Sequence, residues 1–152
     1  MIKNGIYKIR FSTSYALLLF LSLIWTGCTS QPQYPEPTRV GTNFVIEPST
    51  LQLEVPQFFT YRFNGKNISF FVIRMNNGVQ TFLDACASCY PHKLGYRHDD
   101  GCVTCRFCNM KFSLNKLEKG LGGCYPIKIE GRIENGKYLI PLASLEAEAG
   151  KF

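Results

Sequence analysis

The sequence predicts a mostly β domain, a small antiparallel barrel or sandwich whose loops at one end carry cysteines. Runs of aromatic and β-branched residues alternate with Asn-Gly turns from Gln57 onward, the pattern of strands joined by tight hairpins. The connections are too short for crossover helices, which favours antiparallel pairing. Five cysteines, Cys86, Cys89, Cys105, Cys108 and Cys124, follow the spacing Cys-x2-Cys-x15-Cys-x2-Cys-x15-Cys. Each short hook lies beside a strand-like run.

The chain begins with a different kind of segment. Lys3, Lys8 and Arg10 precede an apolar run from Tyr15 to Trp25, and Thr26-Gly27-Cys28 follows. A basic start, a short apolar stretch and small residues make residues 1–27 a secretory signal peptide. The run is shorter than the ~20 apolar residues of a comfortable membrane span. Ile24-Trp25-Thr26-Gly27-Cys28 resembles the lipobox of bacterial lipoproteins, which implies that Cys28 is lipidated and becomes the mature N-terminus. Two or three acyl chains give stable anchoring, so the expected location is the cell envelope, membrane-anchored and extracytoplasmic.

Residues 28–42 are expected to be the lipidated N-terminus and a proline-rich tether, since three prolines stand among residues with almost nothing to bury. Residues 43–152 suffice for one small domain. The formal charge of +6 is inflated by the signal, which holds three of the 17 Lys and Arg and none of the 11 acids; without it the balance is +3. No basic cluster interleaved with aromatics appears, so nucleic acid is not an expected partner.

Within the domain, Gln57 to Phe63 and Ile68 to Met75 join at Asn64-Gly65 as a hairpin. A turn at Asn76-Asn77-Gly78 leads into Val79 to Leu83, which stops at Asp84 just before the first hook. Gly101 to Cys105 and Lys111 to Leu114 flank the second hook. Tyr125 to Ile133 and Lys137 to Ile140 close the domain about Asn135-Gly136. Only Leu142 to Ala149 has helical composition.

Two Cys-x2-Cys hooks brought together place four thiolates on one ion or cluster, a spacing that disulfide frameworks seldom repeat. Thiolates are soft and select Zn(II), Cu(I) or iron-sulfur iron over magnesium and calcium. The expected ligands are Cys86, Cys89, Cys105 and Cys108, with Cys124 as fifth ligand or lid. Gly95, Gly101, Gly122 and Gly123 permit tight turns that aim backbone N–H groups at sulfur, or serve simply as turn glycines. Six cysteines after Cys28 also leave three disulfides open.

Other cysteine chemistry fits less well. Tyr90 follows Cys89 and Asn109 follows Cys108, so neither hook is a c-type haem attachment site. Pro91 sits just beyond the first hook among strands, where a thioredoxin-like dithiol needs a helix. Cys102 overlaps the second hook, but residues three apart on a strand face opposite ways, so Cys102 reads as a bystander. His92 and His98 lie between the hooks as surface residues, ligands or partners of ligands. No constellation for bond-making catalysis stands out.

Asp84-Ala85-Cys86-Ala87-Ser88-Cys89-Tyr90, Lys93-Leu94-Gly95-Tyr96, Cys105-Arg106-Phe107-Cys108 and Gly122-Gly123-Cys124-Tyr125-Pro126 together resemble the FtrD-like membrane iron-sulfur protein family. The likeness spans about Phe58 to Ile140; Tyr125 stands where the family usually has asparagine. The resemblance implies an iron-sulfur cofactor and a membrane-associated redox or metal protein linked to iron uptake. More distantly, the order of hooks and strands looks like the Rieske arrangement, with Cys89 and Cys108 in place of its histidines. All-sulfur ligation implies a potential well below that of a Rieske centre.

Three readings therefore stand at the level of sequence. The first is an envelope lipoprotein carrying electrons through an iron-sulfur centre, with a redox or metal-transport partner. The second is a Cu(I) or Zn(II) protein without redox work, since an unfolded exported chain loses a centre built in the cytoplasm and zinc or copper can be acquired outside. The third is a disulfide-stapled structural lipoprotein.

Overall fold

A computed structural model describes residues 31–119 and 123–152. The signal peptide and Cys28 lie outside the described residues. Among the described residues, eleven strands form three antiparallel sheets: β1 (Arg39–Val40), β2 (Asn43–Ile46), β3 (Gln57–Phe63), β4 (Lys66–Met75), β5 (Gly78–Cys86), β6 (Tyr96–Asp99), β7 (Cys102–Cys105), β8 (Lys111–Ser113), β9 (Pro126–Ile129), β10 (Arg132–Glu134) and β11 (Lys137–Pro141). One short helix, α1 (Leu142–Glu146), follows. The sheets run β1-β2-β11-β10, β3-β4-β5-β9 and β6-β7-β8, and none closes into a barrel.

The middle sheet, β3-β4-β5-β9, is covered on both faces, and the sequence of β4 explains why. Ile68, Phe70 and Val72 point into one core, with Phe44, Leu83 and Ile140. Phe71 and Ile73 point into the other, with Phe82, Val103 and Phe112. The alternation of side chains along a strand serves two cores because apolar residues occupy both phases. Aromatic pairs such as Phe44 on Tyr61, edge to face at 5.1 Å, contribute about 0.5–1.5 kcal/mol each beyond burial.

The hairpins expected at Asn64-Gly65, Asn76-Asn77-Gly78 and Asn135-Gly136 all form, with Asn64, Gly65, Asn135 and Gly136 at positive φ. The single strand expected from Tyr125 to Ile133 is instead two strands in different sheets. The chain changes sheet at Gly131, where an added Cβ would collide with the Tyr138 hydroxyl. That hydroxyl accepts a 3.0 Å bond from Thr81 on the middle sheet. Absence of a side chain at Gly131 lets the two sheets meet.

The expected tether also differs from Gln31 onward. Tyr34 stacks on Phe58 at 5.0 Å, its N–H donates to Thr60 Oγ1 at 3.0 Å, and Thr60 N–H donates to the Pro35 carbonyl at 3.2 Å. Extended, proline-rich backbone offers a free edge, and one aromatic side chain supplies the surface to dock it. Arg39–Val40 then pairs with β2. Among the described residues, no helix is long and apolar enough to cross a membrane.

Candidate metal centre

Cys86 is the last residue of β5 and Cys105 the last of β7. Both face the core between the middle sheet and β6-β7-β8, and both are buried. The remaining hook cysteines follow in tight turns. After Cys86, Cys89 N–H donates to the Cys86 carbonyl at 3.2 Å, and a 3-10 turn over Tyr90–His92 ends at Lys93 with φ +52°. After Cys105, Asn109 N–H donates to the Cys105 carbonyl at 2.9 Å, and Cys105 N–H donates to Met110 at 3.0 Å. The second hook is thus the tip of the β7-β8 hairpin.

Cys124 arrives from a third direction. Ala87 N–H donates to the Tyr125 carbonyl at 3.0 Å, and Ser88 Oγ donates to the Gly123 carbonyl at 2.8 Å. These bonds fasten its segment to the first hook. The Arg106 N–H donates to Gly95 at 2.9 Å, and its Nε to Tyr96 at 2.8 Å, joining the two hooks.

All five predicted sulfurs meet. Cys86, Cys89 and Cys124 form one group, and Cys89, Cys105 and Cys108 another, with the sulfurs of each group within 4.8 Å of one another. Cys89 belongs to both. Cys102 belongs to neither, and all six cysteines of the described residues are free thiols. His92 stacks on Phe107 at 3.5 Å between ring centroids, and His98 lies on β6 opposite Val103. Neither histidine joins the sulfurs.

The electrostatics suit a cation. Burial opposes ionisation of every one of these thiols. At Cys86 it is outweighed by Tyr96 and by the N–H groups of Ser88 and Cys89, and the pKa falls. At Cys108 it is outweighed by Met110 N–H and neighbouring thiols, again lowering the pKa. Burial wins at Cys89, reinforced by Cys108 and Cys86, and it wins at Cys105 and Cys124, so these pKa values rise. Five thiols in such contact do not ionise together unless positive charge is added among them. N–H groups already aimed at sulfur are the outer contacts that a thiolate-bound centre uses. The donor set therefore fits a soft metal or an iron-sulfur cluster.

The sequence reading missed the brace beneath the hooks. Asp84, two residues before Cys86 and 1% exposed, accepts from Tyr96 N–H at 2.5 Å and from Gln31 Nε2 at 2.7 Å. Burial raises its pKa to about 6 against the pull of Gln31, Tyr96 N–H and Arg106. Gly95, at φ +65°, lies so close that a Cβ would sit 2.6 Å from Asp84 Oδ1. Tyr96 is fully buried, and its hydroxyl has no hydrogen-bond partner of good geometry. That hydroxyl nevertheless bears on Cys86, whose thiol it favours as thiolate. The signal for this brace was the Lys93-Leu94-Gly95-Tyr96 step, quoted above without a role.

Fold and site together define a small β protein that gathers five cysteine sulfurs in groups compatible with metal binding. The chain belongs to the family described as membrane iron-sulfur containing protein FtrD-like, which it matches over residues 51–152. No curated protein matches it. Among solved structures it is similar to the quaternary ammonium Rieske monooxygenase CntA in complex with an inhibitor, at 16% identity and a TM-score of 0.43 over 66% of this chain and 31% of that one. A second structure of that monooxygenase, in complex with L-carnitine, gives 17%, 0.42, 66% and 32%. The chain thus spans about a third of the length of those proteins.

Proposed function

We propose that this protein is an electron carrier of the cell envelope, tethered through lipidated Cys28, whose iron-sulfur centre is held by Cys86, Cys89, Cys105 and Cys108. The observation that carries the reading is the meeting of five sulfurs around Cys89. Cys86, Cys89, Cys105 and Cys108 would hold the iron-sulfur centre, which would supply one-electron chemistry there without net bond chemistry in the protein. The protein's part is to hold the thiolates, to point Ser88, Cys89, Phe107, Cys108 and Met110 N–H groups at sulfur, and to bury Cys86 and Cys105 from water. Cys124, bonded to the first hook through its neighbours, is a fifth ligand or a lid. The family's name supports the centre, and the resemblance supports a role beside iron uptake through a membrane partner. The reading makes the protein a carrier and not an enzyme.

A second reading rests on the compactness of each three-sulfur group, which suits a single Cu(I) or Zn(II) ion. Iron, acid-labile sulfide, copper and zinc analysis of the anaerobically purified protein, with visible absorption, decides between them. Iron and sulfide in equal amounts with a visible chromophore support the carrier; a colourless protein with stoichiometric copper or zinc rejects it. Mass spectrometry of the mature N-terminus tests for acylated Cys28.

A further inference from the structure

The surface around the sulfurs is unlike the rest of the molecule. Among the described residues, three large aromatic side chains are exposed: Tyr90 at 37%, Phe107 at 46% and Tyr125 at 43%. Each is the chain neighbour of a centre cysteine: Tyr90 follows Cys89, Phe107 precedes Cys108 and Tyr125 follows Cys124. One ring therefore stands on each of the three loops that converge, and Cys108, next to Phe107 in the chain, is also exposed. Two of the rings are already held. His92 stacks on Phe107 with planes 10° apart, and the Lys151 ammonium lies 5.9 Å from the centre of the Tyr90 ring.

The three loops themselves carry charge of one sign, while Lys151 beside the Tyr90 ring is paired with Glu148. Residues 87–95, 106–110 and 123–125 contain Lys93 and Arg106 and no carboxylate. Asp99 and Asp100 lie at the opposite end of the β6-β7 hairpin. Rigid aromatic rings surrounded by cations are the anatomy of a protein-binding surface, in which the rings supply contact and the charges steer encounter.

We propose that this aromatic, cationic collar is the docking surface for an acidic redox protein, which exchanges one electron with the centre through the exposed Cys108 side. The inference rests on the electron-carrier reading. In the exchange the reduced centre loses one electron, the partner's metal gains it, and no bond forms or breaks. An anionic lipid surface also suits rings and cations, but among the described residues the collar holds no exposed large aliphatic side chain, and a centre with an exposed ligand is of use to a partner that accepts its electron.

The test uses the loaded, full-length protein, reduced, with two one-electron acceptors of opposite charge: plastocyanin, which is acidic, and cytochrome c, which is basic. Plastocyanin is expected to be reduced about tenfold faster at low salt, the difference fading as salt screens the charges. Tyr90→Ser and Tyr125→Ser are expected to slow that reaction several-fold while leaving iron content and the rate with neutral 1,4-benzoquinone unchanged. Lys93→Glu is expected to erase or invert the preference. Wild-type rates in all three variants overturn the docking surface, as does a loss confined to binding of phosphatidylglycerol vesicles, which would mark a lipid contact. A wild-type protein that acquires no iron or sulfide overturns the carrier reading itself, and with it this one.

Discussion

The side chain of Tyr96, the first residue of β6, is buried in the same core as that of Cys86, the last residue of β5, and its hydroxyl favours the Cys86 thiolate. The hydroxyl has no hydrogen-bond partner, sulfur included. A hydroxyl hydrogen rotates freely, so it turns onto sulfur once Cys86 is a thiolate. Burial and the neighbouring thiolates in turn hold the Tyr96 pKa far above its ordinary value, so the hydroxyl stays a donor.

Tyr96→Phe should therefore keep the fold, because the ring remains in its fully buried site, and should change the centre. A net hydrogen bond of about 0.5–1.5 kcal/mol corresponds to about one pKa unit or less. The Cys86 thiol should titrate higher in the metal-free variant. The reduction potential of the loaded variant should fall by tens of millivolts, as measured by redox titration. An unchanged potential would show that the hydroxyl acts on packing alone.

Asp84 makes stability depend on pH. Its folded pKa, about 6, lies above the ordinary 3.8, so the folded state keeps a proton that the unfolded state gives up. The stabilisation is fully present below about pH 4, declines as pH rises through 6, and is at most about 3 kcal/mol. Denaturant unfolding of the metal-free protein between pH 4 and 7 should show this decline. Asp84→Asn should flatten it, whatever its effect on absolute stability.

Gly95→Ala meets two obstacles, a backbone at φ +65° and an Asp84 oxygen 2.6 Å from the new Cβ. Left-handed strain and displacement of a buried carboxylate together should destabilise by about 1–3 kcal/mol. Because Gly95 also accepts from Arg106 N–H, the two hooks should separate. Loss of metal retention at temperatures where the fold persists is the measurement.

The cysteines should rank by their place in the sulfur groups. Cys89→Ala removes a member of both groups and should lower metal content most. Cys124→Ala touches one group and should lower it less. Cys102→Ala should leave it at the wild-type level, because Cys102 joins no group. Metal analysis of the purified variants gives the order, and equal losses at Cys89 and Cys102 would contradict it.

Much of this was legible along the chain. Asn-Gly turns placed the hairpins, because positive φ selects those residues; the burial of β4 on both faces came only with the structure. The Cys-x2-Cys spacing picked out the five sulfurs and set Cys102 aside by strand periodicity alone. β6 was missed, since Tyr-Arg-His-Asp gives one core-facing residue and no alternation strong enough to read. The break at Gly131 was missed because its cause, the Tyr138 ring, comes from a neighbouring strand.

By itself the sequence determined which atoms are available to a centre: five soft sulfur donors on short hooks, at the ends of antiparallel strands. Those are local properties of residue type and spacing. Only the tertiary structure decided that Cys89 stands between both groups, that Asp84 and Gly95 lock the loop beneath, and that Tyr96 reaches Cys86. These relationships depend on how β5 and β6-β7-β8 face each other across a shared core, and no local pattern encodes that facing.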